Sequence, residues 1–477
     1  MYGTTVSMKD YEGIQGFGVG SQEQVDELNK ALEAGYQRPP ASGGSALRVE
    51  SLEATLRVVT FTLQNIRFWP RIPKLPAFST VEEYNILSSY GSDSGVFTNE
   101  GDLPETQDSV YERKVALVKF LGTTREVTHP MTLVRPAHGN TVALETQNGA
   151  IFLVERLERA LFVGRSDVIS QEFDGVMKQI MDGAGLTDPW NVNPVSSGVV
   201  VDCRGGPITE DLVEEAANSI VENYGTPTGM YLAPRPSSDL AKQFYPRERV
   251  NLPFPTDGRV GLAITSIVTS AGTIELRPDV FLRGGGNNGK KDPPVAATST
   301  KAPNTPASVT TAVAADATSL FAAADAGTYI YKVTAINRYG ESAPITLAGQ
   351  AIAAGEKCTL TITDGGGSYP ATGYKIYRSA KDGTAATCLI QIPGFPRDSV
   401  TPVDTNYVDF NFWLPGTSNA FMFQENLQNF SFRQLAPMMK IPLATIAASI
   451  RWMQLLYGTP IVYSPKKNKI FINVLDG

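Results

Sequence analysis

GAIFLVERLERALFVG, residues 149–164, puts Ile151, Val154, Leu157 and Leu161 on one face of a helix and Glu155, Arg156, Glu158 and Arg159 on the other. An apolar stripe of that width must be covered, so this helix lies against a larger core. Downstream, Thr209 stands where an N-cap belongs, Glu210 and Asp211 fill a first turn, and Leu212, Val213, Ala216 and Ile220 follow at helical spacing to about Asn223. A strand at Met230 to Ala233 and a helix opened by Ser237 or Ser238 complete a helix, strand, helix unit before Pro246. Upstream, Val49, Leu52, Leu56, Val59 and Leu63 predict a helix over 46–63, stopped by Pro70, Pro73 and Pro76. Before Gly44 the chain is polar and glycine-rich and reads as an extended arm with a short helix near Gln22 to Ala34.

From Ser79 to Met131, short β-type runs alternate with turn residues: Thr80 to Leu87, Gly91 to Gly101 and Val110 to Leu121. They describe a long hairpin excursion with Glu112, Arg113, Lys114, Lys119 and Arg125 on its surface and little apolar material to make a core. A ribbon of this kind either decorates its own surface or lies on a neighbour.

At Gly284 the composition changes. Glycines and asparagines through Gly289 lead into Asp292, Pro293, Pro294 and a Ser/Thr/Ala/Pro stretch, a linker. Beyond it, Tyr329, Tyr331, Val333 and Ala335 alternate with Lys332 and Thr334, as do later runs at Cys358 to Thr363, Gly373 to Arg378 and Tyr407 to Phe412. Short alternating strands between Gly, Asp and Pro turns indicate a β-sandwich over 292–412. Within it, TYIYKVTAINRYGESAP, residues 328–344, is similar to the late-strand motif of fibronectin type III and related immunoglobulin-like domains. Residues 290–412 hold ten Lys/Arg against ten Asp/Glu, so the acidic excess lies elsewhere. After Trp413 an apolar segment resumes with Pro437, Met438, Met439, Ile441, Leu443, Ile446 and Ile450, ending in β-like runs around Ile461 and Ile470, so a core is interrupted by a module.

The 477 residues imply two to four domains, and 43 Gly with 32 Pro favour an α+β or β-rich chain over a helical bundle. A net charge of -7 argues against a phosphate-tracking surface. No basic and apolar leader opens the chain, and no run reaches the ~18 to 20 apolar residues of a membrane span, so a soluble chain is expected. Cys203, Cys358 and Cys388 read as free thiols rather than a disulfide framework or metal site. His129 and His138 are the only histidines; there is no GxSxG, no GK[ST] after the glycine cluster, and no paired carboxylates facing one cleft. No catalytic, metal or cofactor residue is assigned, and Lys466, Lys467 and Lys469 read as a solvated turn.

Two blocks carry a family resemblance. PMMKIPLA at 437–444, followed by Leu456-Tyr457-Gly458 and Pro465-Lys466-Lys467, resembles the C-terminal motif of major capsid proteins from large contractile-tailed bacteriophages of the Twort kind. Arg71 to Tyr84, with Pro76, Ser79, Thr80 and Val81, is similar to the segment entering their extended loop. The resemblance implies an α+β, HK-ninety-seven-type major capsid fold with an inserted immunoglobulin-like sandwich. It divides the chain into an arm and helix at 1–78, an E-loop hairpin with flanking strands at 79–131, and a peripheral domain with its spine helix at 132–208. The first part of an axial domain follows at 209–283, then the linker at 284–291, the outward-projecting sandwich at 292–412 and the completion of both domains at 413–477. It further implies a non-enzymatic subunit assembled in the bacterial cytoplasm into hexamers and pentamers of an icosahedral virion shell around double-stranded DNA. Portal, scaffold and decoration proteins would be partners, DNA contact would be weak and non-specific, and no membrane would be involved. The hairpin from about Tyr90 to Met131 would lie across a neighbour through Glu112, Arg113, Lys114, Lys119, Phe120 and Arg125. Lys114 or Lys119 would be the donors of any lysine to asparagine cross-link, which some members form. The competing readings are an adhesin or tail fibre using the sandwich, a tail sheath or tube subunit, and an enzyme with an accessory sandwich.

Overall fold

The computed structural model describes residues 60, 62–92, 96–134, 140–186, 188, 190–248, 264–282, 292–394, 404–444 and 447–476. The expected N-terminal arm, almost all of the expected helix over 46–63, and the glycine linker lie outside them; Leu63 itself sits in a 3-10 turn, Leu63–Asn65. Chain contacts define two units. The first, Met1–Arg57 with Arg135–Asn140, is described only at Asn140; the second is Val58–Val134 with Thr141–Gly477.

The second unit opens with strand β1 (Lys74–Pro76), then β2 (Val81–Ser89), β3 (Val110–Leu117) and β4 (Lys119–Thr128). The predicted run from Val110 to Leu121 is two strands, because Val118 is buried between them and each half has a different partner. β3 pairs antiparallel with β2 as an isolated ribbon. The expected strand at Gly91 to Gly101 is absent among the described residues there; glycine, serine and asparagine make it a turn segment.

After α1 (His129–Leu133) comes α2 (Thr141–Val163), which begins eight positions before the predicted helix. It buries Gly149, Leu153, Val154, Leu157, Leu161 and Phe162, close to the predicted stripe, and also Glu158, which the periodicity put on the solvent face. Gly149 is needed because the helix backbone meets Gln454, whose amide donates to the Thr146 carbonyl at 2.6 Å; a Cβ at 149 would collide with it. Next come α3 (Val176–Gly183), β5 (Val200–Asp202), α4 (Glu210–Glu222), β6 (Gly229–Leu232) and α5 (Pro234–Glu248). Thr209 accepts from the Leu212 N–H, as an N-cap should. α5 starts at Pro234, not at Ser237 or Ser238, since proline suits a first helical turn, and it runs past Pro246. β7 (Ser266–Thr269) and β8 (Gly272–Pro278) precede the sandwich.

The sandwich comprises β9 (Ser308–Ala315), β10 (Gly327–Tyr329), β11 (Tyr331–Asn337), β12 (Gly340–Glu341), β13 (Ile345–Thr346), β14 (Gln350–Ile352), β15 (Glu356–Thr363), β16 (Gly373–Ser379), β17 (Ala386–Pro393) and β18 (Thr405–Asp409). One sheet runs β18-β15-β9; the other runs β12-β11-β16-β17, with β13 also on β11, and β10 pairs with β14. Tyr331, Val333, Leu360, Ile362, Ile376, Ile390 and Tyr407 fill the space between them. Cys203, Cys358 and Cys388 are buried, and burial pushes their thiols up to about 12, 12 and 11, too high for thiolate chemistry near neutral pH.

The chain then returns as β19 (Ser418–Phe423), β20 (Phe430–Pro442), β21 (Ser449–Val462) and β22 (Lys469–Val474). β20 and β21 form a long hairpin flanked by β1 and β4, in the order β1-β20-β21-β4. β22 and β19 enter a six-stranded sheet ordered β5-β22-β19-β6-β8-β7, setting Ile470 beside Val200 and Phe421 beside Tyr231. Helices α4 and α5 supply the apolar residues Val213, Ala216, Ile220 and Leu240 that pack with this sheet's Met230, Ile274, Met422 and Phe471. Where α2 meets the sheets, Phe68 stacks on Phe162 at 4.8 Å and meets Tyr231 at 5.0 Å and Phe423 at 5.4 Å. Lys469 is not part of a solvated turn: it is buried and donates to the Gly198 carbonyl and to Ser219 Oγ.

The sandwich is keyed into the body and shares its core. Arg165 stacks over Trp190 and donates to the Gln391 carbonyl at 2.5 Å, the Val408 N–H donates to Asn191 Oδ1 at 3.3 Å, and Arg204 donates to the Asn411 and Leu320 carbonyls.

Candidate subunit interface

Among the described residues the β2–β3 ribbon pairs with no further strand, and a two-stranded ribbon is marginal in water. Its apolar residues point into solvent: Phe78, Tyr90, Val96, Phe97, Leu103 and Tyr111 are all exposed, Phe97 at 99% and Leu103 at 93%. Scattered exposed apolar residues are ordinary, but this density on one protruding element marks a surface awaiting cover. Only its base is anchored, by Tyr84 packed edge-on to Tyr463 at 5.2 Å, where burial raises the Tyr84 hydroxyl above its usual range.

The six residues expected at an interface fall into two groups. Glu112, Arg113 and Lys114 lie on β3; Arg113 reaches Glu83 at 3.3 Å and Lys114 reaches Glu112 at 3.9 Å, both as exposed pairs of little energetic weight. Lys119, Phe120 and Arg125 lie on β4, inside the four-stranded sheet. Lys119 donates to the Ser170 carbonyl at 2.6 Å, Phe120 packs edge-on to Tyr457 at 4.9 Å, and Arg125 pairs with Glu145 at 3.4 Å over the Phe152 ring. The free hairpin is therefore Val81 to Leu117 rather than Tyr90 to Met131. Sequence reasoning missed Phe97 and Leu103, whose signal was an apolar side chain set among glycine, asparagine, aspartate and proline turn residues.

It also missed a buried acid pair. Glu158 accepts from the N–H groups of Arg67, Phe68 and Trp69 at 2.8, 2.6 and 2.8 Å, fastening the chain before β1 to helix α2. Asp279 accepts from the Phe281 N–H, but its Oδ2 is buried without a hydrogen-bond donor. Burial raises both carboxyls, Asp279 further through the charge of Glu158, so they hold protons above the normal carboxylate range. Both residues are closed to solvent, so no substrate reaches them. Among the described residues no cluster of His, Cys, Asp and Glu is placed to hold a metal, and no helix is long and apolar enough to cross a membrane. His129 opens α1, and His138 lies outside the described residues.

No family model matches the chain. The major capsid protein of Staphylococcus phage K is 25% identical over 453 residues, and the corresponding protein of Enterococcus phage phiEF24C is 25% identical over 458; each match covers 93% of both chains. The chain is thus similar along almost its whole length to phage major capsid proteins. Its architecture is α+β with the sandwich seated on the body, and the likeness to capsid proteins supports a shell subunit of a phage head. The unmatched share of this chain is far smaller than its sandwich, so most of that module lies within the aligned span. Among solved structures it is similar to that of Gordonia phage Cozz, at TM-score 0.45 and 10% identity, covering 91% of this chain and 97% of that one.

Proposed function

We propose that copies of this chain close into the hexamers and pentamers of an icosahedral head around double-stranded DNA, each laying its β2–β3 hairpin across the next copy, with no catalysis of its own. One observation carries this: a ribbon whose apolar residues are exposed, with no layer covering them among the described residues. Burying side chains such as Phe97 and Leu103 on a neighbour returns roughly 1.5–3 kcal/mol each, and a ring repeats the gain at every heterologous contact. Glu112, Arg113 and Lys114 ride on the crossing ribbon, while Lys119, Phe120 and Arg125 form the surface at its root. The α2 helix serves as the spine of a peripheral domain, and the six-stranded sheet with α4 and α5 as the axial domain. The net charge of -7 suits a container wall that touches packaged DNA weakly, as portal-driven filling requires. Assembly takes place in the host cytoplasm, with portal, scaffold and decoration proteins as further partners.

Electron microscopy of the full chain, expressed alone and with a scaffold, tests the reading. Closed polyhedral shells are expected; helical cylinders, or a monomer or trimer under every condition, would overturn it.

A further inference from the structure

Between β4, helix α2 and the turn joining β11 to β12 lies an open groove of about 400 Å³. Phe120, Phe152 and Phe173 supply its apolar lining, and Arg156, Arg159 and Arg338 its charge. The nearest acids do not balance that charge. Glu155 alone serves two guanidiniums, at 3.9 Å from Arg156 and 3.8 Å from Arg159, and Glu172 is turned to the Arg165 N–H at 3.4 Å. Arg159 Nε is buried without an acceptor. Arg338 comes from the sandwich and reaches only the hydroxyl of the neighbouring Tyr339 among the groups in hydrogen-bond range.

The hairpin tip is the complement. No Lys or Arg occurs between Lys74 and Arg113, and Glu100, Asp102, Glu105 and Asp108 surround Phe97 and Leu103, all of them exposed. Among the described residues the tip and the groove are both uncovered, so the tip does not fill its own groove.

We infer that the acidic, apolar-anchored tip of one copy seats in the arginine groove of a second copy, so that the sandwich, through Arg338, forms one wall of the contact between subunits. This rests on the hairpin reading above and adds the place where the hairpin ends. Phe97 or Leu103 covers the phenylalanine lining, and the carboxylates meet guanidiniums already crowded by one another. Carboxylate and guanidinium pair as charge-assisted hydrogen bonds, and like charges in the same place would repel by several kcal/mol.

Charge reversal in the full chain tests it. R156E with R159E, and separately E100K with D102K and E105K, should each lower the yield of closed shells on the order of tenfold or more. A chain carrying all five changes restores the pairing with signs exchanged and should recover most of the yield. Circular dichroism and thermal unfolding of the unassembled variants show that each still folds, and R156Q with R159Q supplies a milder variant should a reversed one not fold. Single-set variants that assemble like the parent, or a five-fold variant no better than either set, would overturn the docking while leaving the shell function standing. A parent chain that never forms shells overturns both.

Discussion

The β2–β3 hairpin and the sandwich are both built of short alternating strands with charged residues in their sequences, yet they place those residues oppositely. In the sandwich the charges are inside and matched: Arg378 meets Asp409 at 2.6 Å, Tyr331 donates to the same carboxylate at 2.8 Å, and Lys375 meets Glu341 at 3.0 Å. In the hairpin the charges are outside and loosely paired, and the apolar side chains are outside with them. The sandwich thus finds its energy within one chain, whereas the hairpin has to find it in a second. Arg338 stands at the junction of the two, carried by the self-sufficient module and facing the groove assigned to the dependent one.

The contrast breaks most readily at Arg378. Replacing it by methionine leaves Asp409 buried beside only neutral donors, and urea unfolding of the full chain should show a loss of roughly 3 to 5 kcal/mol; Arg378→Met with Asp409→Leu should recover much of it. A loss under ~1 kcal/mol for the single change would mean that the sandwich does not depend on its internal pairing.

A smaller effect comes from a third arrangement of charge, the Glu158 and Asp279 pair. Because the folded state holds a proton that the unfolded carboxyls release near pH ~4, the pair's own contribution to stability should be largest at or below that pH and fall as pH rises into the raised range. The slope for one proton is at most ~1.4 kcal/mol per pH unit. Asp279→Asn should flatten it in unfolding curves taken across pH; an unchanged slope would show that the proton sits elsewhere.

On the hairpin the stability effects should nearly vanish. Phe97→Ser with Leu103→Ser should leave unfolding of the unassembled chain within about 0.5 kcal/mol while shell yield collapses. A large loss of stability in that chain would mean the tip packs on its own body. Arg113→Ala, which removes an exposed pair with Glu83, should change stability by about 0 to 1 kcal/mol and is the smallest change expected.

The elements readable from the sequence were those whose residues answer to a local period. The stripe of α2, the cap at Thr209 and the alternation in β11, β15 and β16 each follow from 3.6- or 2-residue repeats and turn chemistry. The errors fell where a partner far along the chain decided the outcome. Glu158 went inside because three backbone N–H groups from Arg67 to Trp69 offer it hydrogen bonds, and Lys469 did so because the Gly198 carbonyl and Ser219 accept its protons. Val110 to Leu121 read as one strand because no glycine, proline, asparagine or aspartate interrupts it, and only pairing with β2 on one side and β21 on the other divides it. For the six residues expected at an interface, the pattern supplied surface charge but could not separate those on the free ribbon from those already held in a sheet.

By itself, then, the amino-acid order determined the element types, the position of the inserted module and the absence of the usual catalytic motifs, because each depends on residues close together in the chain. Only the tertiary structure decided which charges are paired inside, that the sandwich is seated on the body, and that Phe97 and Leu103 stand beside no core of their own. Burial is a property of what surrounds a residue, and those surroundings come from segments hundreds of positions apart.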